Sequence, residues 1–190
     1  MAGKERDTAR TRRAVLDAAA AAVVAHGAGV SLDAIARAAD VSKGGLLHHF
    51  GSRDALLLEV AEDQAELFRD AVAAAVDPAD HAKGRLVRAY VSVTFAALDD
   101  GPAAHDYVVL AAALSAVPGV VEVMRLDKQR WDEAFAADGL DPDRVLLVVR
   151  AADGAAVAGL YEGGYDVEQL RRTRELLLAL TREDGPLVGS

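Results

Sequence analysis

Apolar residues recur every three or four positions along almost the whole of this chain, and no stretch alternates apolar with polar residues as a half-buried strand does. That period leaves little room for anything but helices. Hydrophobic residues make up 52% of the 190 while aromatics make up only 5%, so the core has to be built mainly from Ala, Val and Leu, which suits close helix packing. The expectation is an all-α chain of about nine helices, long enough for a small module joined to a larger one.

The first helix is predicted from Thr8 to His26, with Val15, Ala19, Ala22 and Val23 on one face and Gly27 and Gly29 ending it. Ser31 can cap a second, barely two turns long, over SLDAIARAA. Asp40 follows, a residue type that tolerates the left-handed conformation of a tight turn. Ser42 then reads as an N-cap, with Val41 and Leu46 spaced as a hydrophobic staple, so a third helix starts at about Lys43. Gly51 and Ser52 stop it and open a fourth, from Arg53 to about Val76. Further helical patterns run from Leu86 to Asp100, Tyr107 to Pro118, Val121 to Gly139, Val145 to Leu160 and Val167 to Thr181.

Two short helices joined by a tight turn, the second with a small, cationic N-terminus, match the arrangement that places a recognition helix in the major groove of DNA. Gly44 and Gly45 in that first turn each cost about 1 kcal/mol relative to Ala as helix formers. Helix stability does not explain them; close approach of the backbone to another surface does. On this reading Ser42 and the free N–H groups of the turn take phosphate, Lys43 takes phosphate or a guanine edge, and His48 and His49 reach base edge or backbone. The net charge of −9 opposes nucleic acid only on average. Residues 1–53 carry eight Lys/Arg against five Asp/Glu, a net +3, which leaves −12 for the rest and confines any DNA contact to the head of the chain. Arg10, Arg12 and Arg13 oppose their helix dipole and would suit a nearby phosphate; such an arm, from Lys4 onward, can also read the minor groove.

The run RRAVLDAAAAAVVAHGAGVSLDAIARAADVSKGGLLHHFGSRDALL resembles the DNA-binding module of the tetracycline-repressor (TetR) family of bacterial regulators, over about residues 8–60. The resemblance implies a homodimer with an N-terminal three-helix helix-turn-helix domain, residues 1–52, and a C-terminal helical bundle, residues 53–190, that senses a small-molecule effector and dimerises. It implies DNA contacts at Ser31, Ser42, Lys43, Gly44, Gly45, His48, His49 and Arg53. Three positions depart from the family pattern: Leu47 where tyrosine is usual, Asp40 for the turn glycine, and Gly45 for a common threonine.

In the C-terminal region, Tyr90, Thr94, His105, Tyr107, Met124, Arg125 and Trp131 are large or polar groups among aliphatic helices and are the candidates for a ligand pocket. The segment RAADGAAVAGLYEGG offers a smooth surface of small residues. Given the resemblance, Ala152, Ala156 and Gly159 on that helix and Leu170 and Leu177 on the last are expected at a subunit interface, paired in a four-helix bundle. Asp153 needs a partner, which spacing offers in Arg150.

The expected function is a TetR-type transcriptional regulator, a repressor released from a pseudo-palindromic double-stranded operator by an unknown effector. The alternative is a helix-turn-helix protein whose C-terminal domain docks a protein partner. No enzyme is expected, because no nucleophile, metal set or cofactor loop stands out; adjacent His48 and His49 point about 100° apart, so no metal is expected either. With no Cys there is no disulfide framework or thiolate site, and no cofactor is called for. Asp17 interrupts the one export-like run after Arg12 and Arg13, and Pro118 interrupts the best apolar stretch, so a cytoplasmic protein without a membrane span is expected.

Overall fold

The computed structural model describes residues 2–99, 101–183 and 187, with side chains from Arg10 onward except that of Leu160. Asp100, expected at a helix end, and the side chains of Lys4 and Arg6 in the basic arm lie outside what is described. Among the described residues there are nine helices and no strand: α1 Ala2–His26, α2 Leu32–Ala38, α3 Lys43–Phe50, α4 Arg53–Ala75, α5 Arg85–Asp99, α6 Gly101–Leu114, α7 Val120–Asp138, α8 Pro142–Tyr161 and α9 Val167–Leu180. None of these is long and apolar enough to cross a membrane.

The ends follow from local chemistry. Gly27, at φ 75°, terminates α1, and Gly51, at φ 76°, terminates α3. Ser31, Ser42, Asp141 and Asp166 each accept hydrogen bonds from backbone N–H groups of the helix they precede. Gly101-Pro102 opens α6 several residues earlier than the Tyr107 expected, because proline is compatible with a helix's first turn.

The helices form two compact units, with α4, α6 and α7 contributing residues to both. The first comprises residues 1–66 and 109–125. Its core joins Val15, Leu16, Ala19 and Val23 of α1 to Ile35, Leu46, Phe50, Leu56, Leu57 and Val60, closed by Leu110, Leu114, Val117 and Val120. The second comprises residues 67–108 and 126–190 and centres on Val87, Tyr90, Val91, Phe95, Phe135, Val148, Ala152, Leu170 and Leu177. The first core has a single aromatic, Phe50, and is filled by Ala, Val, Leu and Ile, whereas the second gathers Phe68, Tyr90, Phe95, Trp131, Phe135 and Tyr165.

Candidate functional site

The first unit presents α2 and α3 as a capped pair. Ser31 Oγ accepts from Ala34 N at 3.2 Å and Ser42 Oγ from Gly45 N at 3.0 Å. Between them Asp40 takes φ 54°, the one positive-φ residue other than glycine among those described, and its neighbour Val41 donates its N–H to Ala36 O at 3.0 Å. Asp in this conformation supplies at modest cost what glycine would supply freely. Leu46 and Phe50 are buried, which fixes the roll of α3 and leaves Lys43, Gly44, Leu47, His48 and His49 exposed.

The two glycines differ. A Cβ on Gly44 would meet nothing within 4 Å, whereas one on Gly45 would lie 3.2 Å from the capping Ser42 Oγ. Gly45 therefore has a reason within the chain, and Gly44 has none. An exposed helix position that forgoes alanine without steric cause points to something outside the chain that comes close.

Lys43 Nζ donates to Asp33 Oδ2 at 2.8 Å, with both side chains about half exposed (52% and 54%). An exposed pair of this kind is worth about 0–1 kcal/mol, so a phosphate can displace it. Arg53, in the first turn of α4, leans on Asp54 at 2.9 Å. His48 and His49 meet edge-on with ring centroids 5.5 Å apart.

The arginines of α1 have partners that the sequence does not disclose. The Arg12 guanidinium lies 5.1 Å from the centre of the Phe50 ring and pairs with Glu59 of α4. Arg13 donates to Asp17 at 2.5 Å and to Asp63 at 2.6 Å, and these bonds, that to Asp17 first, hold its pKa above the ordinary arginine value. These contacts tie α1 to α4 and account for both side chains without a phosphate.

In the second unit, four aromatic rings converge. Tyr90 of α5 is edge-on to Phe68 of α4 and to Trp131 and Phe135 of α7, at centroid distances of 5.2, 5.2 and 5.6 Å, and Trp131 stacks on Phe135 at 5.3 Å. Tyr90 Oη donates to Asp153 Oδ1 at 2.7 Å. Arg150, the partner expected for Asp153 from spacing, stands further off at 4.0 Å. Thr94 is buried and its hydroxyl has no hydrogen-bond partner among the described residues. Of the other candidates for a ligand pocket, Tyr107 is 48% exposed on α6 and His105 is exposed on the same helix. Met124 and Arg125 are exposed on α7 in the first unit, where Arg125 pairs with Glu122 at 2.7 Å. Phe68 and Phe135 complete the cluster but carry no local signal that separates them from core residues, and Asp153, marked in the sequence as needing a partner, finds it in Tyr90.

The helix α8 carries two stripes. Ala152, Gly159, Leu170 and Leu177, expected to face a second subunit, are buried within their own chain. Gly159 lies under Tyr165, whose ring would meet an added Cβ at 2.2 Å and whose hydroxyl donates to Ala156 O at 2.8 Å. The absent side chain serves an in-chain contact, and Ala156 is half-buried beside it. The opposite stripe of α8 is open: Leu146, Leu147, Gly154, Val157 and Tyr161, with Leu176 exposed on α9. Spacing alone could not choose between stripes that both repeat at three and four residues.

Comparison with known proteins bears on both units. Residues 15–60 match the family model described as "Bacterial regulatory proteins, tetR family", and residues 84–182, just over half the chain, match "Tetracyclin repressor-like, C-terminal domain". Among solved structures, a TetR-family member from Streptomyces coelicolor A3 is 25% identical, with 91% of this chain and 99% of that one covered at a TM-score of 0.69. The multidrug binding protein EbrR, solved with imidazole, is 27% identical, with 92% and 96% covered at 0.62. A transcriptional regulator from Rhodococcus sp. Rha1 shares the fold at 20% identity, 90% and 95% coverage and 0.70. No curated protein matches the chain.

Proposed function

Because the chain belongs to the tetracycline-repressor family of bacterial transcriptional regulators, we propose that it is a homodimeric repressor that binds a pseudo-palindromic operator and releases it when a small molecule binds. Residues 1–52, together with Arg53 at the start of α4, carry the DNA contacts, and the remainder of 53–190 carries the effector and the second subunit. The observation that carries this reading is the first turn of α3: capped by Ser42, exposed, cationic at Lys43, and open at Gly44 where nothing in the chain needs glycine.

In this arrangement the N–H groups of Lys43 and Gly44 at the helix N-terminus take phosphate, and Lys43 leaves Asp33 for a phosphate or a guanine edge. Ser31, Ser42, Gly45 and Arg53 line the same approach, and His48 and His49 lie one turn further on. The effector side consists of Tyr90, Thr94, Tyr107 and Trp131. The second subunit docks on the open stripe of α8 from Leu146 to Tyr161 and on Leu176 of α9, beside an open groove of about 240 Å³ between α8 and α9. Effector binding shifts the population toward conformers whose two recognition helices no longer match half-sites about one helical turn apart. That EbrR binds drugs favours an effector over a protein partner for the C-terminal domain. A regulator working on chromosomal DNA in this way acts in the cytoplasm and needs no catalytic group.

Paired substitutions test the DNA assignment. Lys43→Ala should weaken operator binding and flatten the dependence of log affinity on log salt by about one unit, the signature of one lost phosphate contact. Asp33→Asn, which frees Lys43 from its internal partner, should strengthen binding and leave the slope intact. Unchanged affinity and slope in Lys43→Ala, measured by fluorescence anisotropy of labelled duplex, would remove Lys43 from the interface.

A further inference from the structure

The chain has nine aromatic side chains, and four of them, Phe68, Tyr90, Trp131 and Phe135, share one cluster in the second unit. Hydrophobic filling alone does not explain the polar groups placed against them. Asp153 sits in the middle of α8 with its closest partner a neutral phenol, the Tyr90 hydroxyl at 2.7 Å, while the mostly exposed Arg150 reaches it only at 4.0 Å. Burial, and then the neighbouring Asp153 carboxylate, raise the Tyr90 phenol well above its ordinary pKa, so its proton stays put and the negative charge rests on Asp153. Burial also raises the Asp153 carboxyl, against the Tyr90 hydrogen bond and Arg150, which lower it, and 42% of its side chain stays open to an incoming group. The second carboxylate nearby, Asp127, lies one turn before Trp131 on α7 and is already committed to Arg69.

Two hydroxyls flank this arrangement. Thr94 follows Tyr90 by one turn on the same face of α5, buried and without a hydrogen-bond partner among the described residues. Tyr107 keeps about half its surface open and feels the fields of both Asp153 and Asp127. A buried hydroxyl left unpaired costs about 1–3 kcal/mol unless something outside the chain pairs with it.

Resting on the reading that this region takes the effector, we propose that Trp131, Tyr90, Phe68 and Asp153 recognise a lipophilic organic cation. Asp153 supplies the countercharge, the ring faces supply cation–π attraction and apolar contact, and Thr94 supplies a hydrogen bond to a polar substituent. A cation near an aromatic face gains about 0.5–2 kcal/mol per contact, most where water is excluded. A bound cation replaces the Tyr90 phenol as the strongest partner of Asp153. Anions meet two carboxylates and the negative faces of the rings. A bare metal ion finds too few ligands, since no group of three or more His, Cys, Asp or Glu converges among the described residues.

Trp131 is the only tryptophan in the chain, so its fluorescence reports on this cluster directly. The full-length protein is titrated with tetraphenylphosphonium and with tetraphenylborate, which share a shape and differ in charge. Saturable quenching by the phosphonium, at least tenfold tighter than by the borate, is the expected result. Asp153→Asn should abolish most of that preference, while Asp132→Asn, which removes an exposed carboxylate of the same helix as Trp131, leaves it intact. Tyr90→Phe keeps the ring and frees the carboxylate, so it binds the phosphonium at least as tightly as the parent and covers the case in which Asp153→Asn fails to fold. Equal or tighter binding of the borate, loss of affinity in Tyr90→Phe, or a folded Asp153→Asn protein with the parent's preference would each overturn the proposal. Operator anisotropy on the same samples separates the two readings: DNA binding without cation preference defeats only this site, and cation binding without any operator defeats only the regulator.

Discussion

Replacing Arg88 by methionine lowers the thermal midpoint of the protein by roughly 6–12 °C, the shift expected for a loss of about 3 kcal/mol in a chain of this size. The Arg88 side chain is 7% exposed and almost every donor of its guanidinium is used. Nε bonds Asp80 at 2.7 Å, Nη1 bonds the carbonyls of Lys83 and Thr181 at 2.9 and 3.1 Å, and Nη2 bonds Ala82 O at 3.1 Å. One side chain thus ties the start of α5 to the loop before it and to the end of α9. Gly84, at φ 82°, keeps this packing possible, since a Cβ there would come within 3.1 Å of Arg88 Nη1. Methionine fills the volume but leaves three carbonyls and a carboxylate without their donor, and each such loss costs about 1–3 kcal/mol before relaxation and water entry reduce it. Arg88→Lys should recover little, because an ammonium cannot present the planar fork that reaches four acceptors.

The pH dependence carries a sign that checks the same contact. The Ala82 N–H, followed by the Arg88 guanidinium, holds the Asp80 carboxyl below its ordinary pKa. A depressed carboxyl stabilises the fold fully above its unfolded pKa and loses that contribution as the pH falls through the folded value. Stability of the parent protein therefore drops on acidification below the ordinary carboxylate range, and Arg88→Met should flatten part of that drop. Thermal denaturation by circular dichroism at several pH values reads both effects. A midpoint unchanged by Arg88→Met would remove the residue from this role.

Gly44→Ala moves stability and DNA binding in opposite directions. Alanine is up to about 1 kcal/mol better than glycine in a helix, Gly44 does not adopt positive φ, and its Cβ would meet nothing, so the midpoint rises by a few degrees at most. On the proposed reading the same methyl stands in the path of the DNA backbone, so operator affinity should fall by about tenfold or more, the cost of holding a phosphate off one N–H contact. A variant that is more stable and binds DNA as well as the parent would show that Gly44 makes no close approach. Gly45→Ala does not discriminate in this way, since its Cβ crowds the Ser42 cap and perturbs the helix itself.

What could be read in the sequence was local. Ser31, Asp40, Ser42, Gly51 and Ser52 act through partners within a few residues, so the caps and turn of the α2–α3 pair and the burial of Leu46 follow from spacing. Gly-Pro can mark either a break or a first turn, so the apolar spacing places the start of α6 at Tyr107 and misses the opening turn at Gly101-Pro102. Contacts between distant residues were not legible. Arg12 with Glu59 and Arg13 with Asp63 join side chains some fifty positions apart, and each looked like an unsatisfied surface charge. Tyr90 and Trp131 stand out as rare large groups, but Phe68 and Phe135 do not, and the need of Asp153 for a partner is legible while its pairing with Tyr90 is not. On α8 the small residues signalled close helix approach, and only burial tells that Gly159 makes room for Tyr165 of the same chain.

The proposed regulator reads two half-sites on one duplex with two copies of the α3 turn. Its most direct test is selection of duplexes from a random pool by the full-length protein, followed by light scattering of the complex with the enriched sequence. The expected result is an inverted repeat with half-site centres about one helical turn apart, a complex containing the chain in pairs, and loss of enrichment in Lys43→Ala. An enriched site without inverted symmetry, a single copy per duplex, or a Lys43→Ala protein that selects the same sequence as the parent would contradict it.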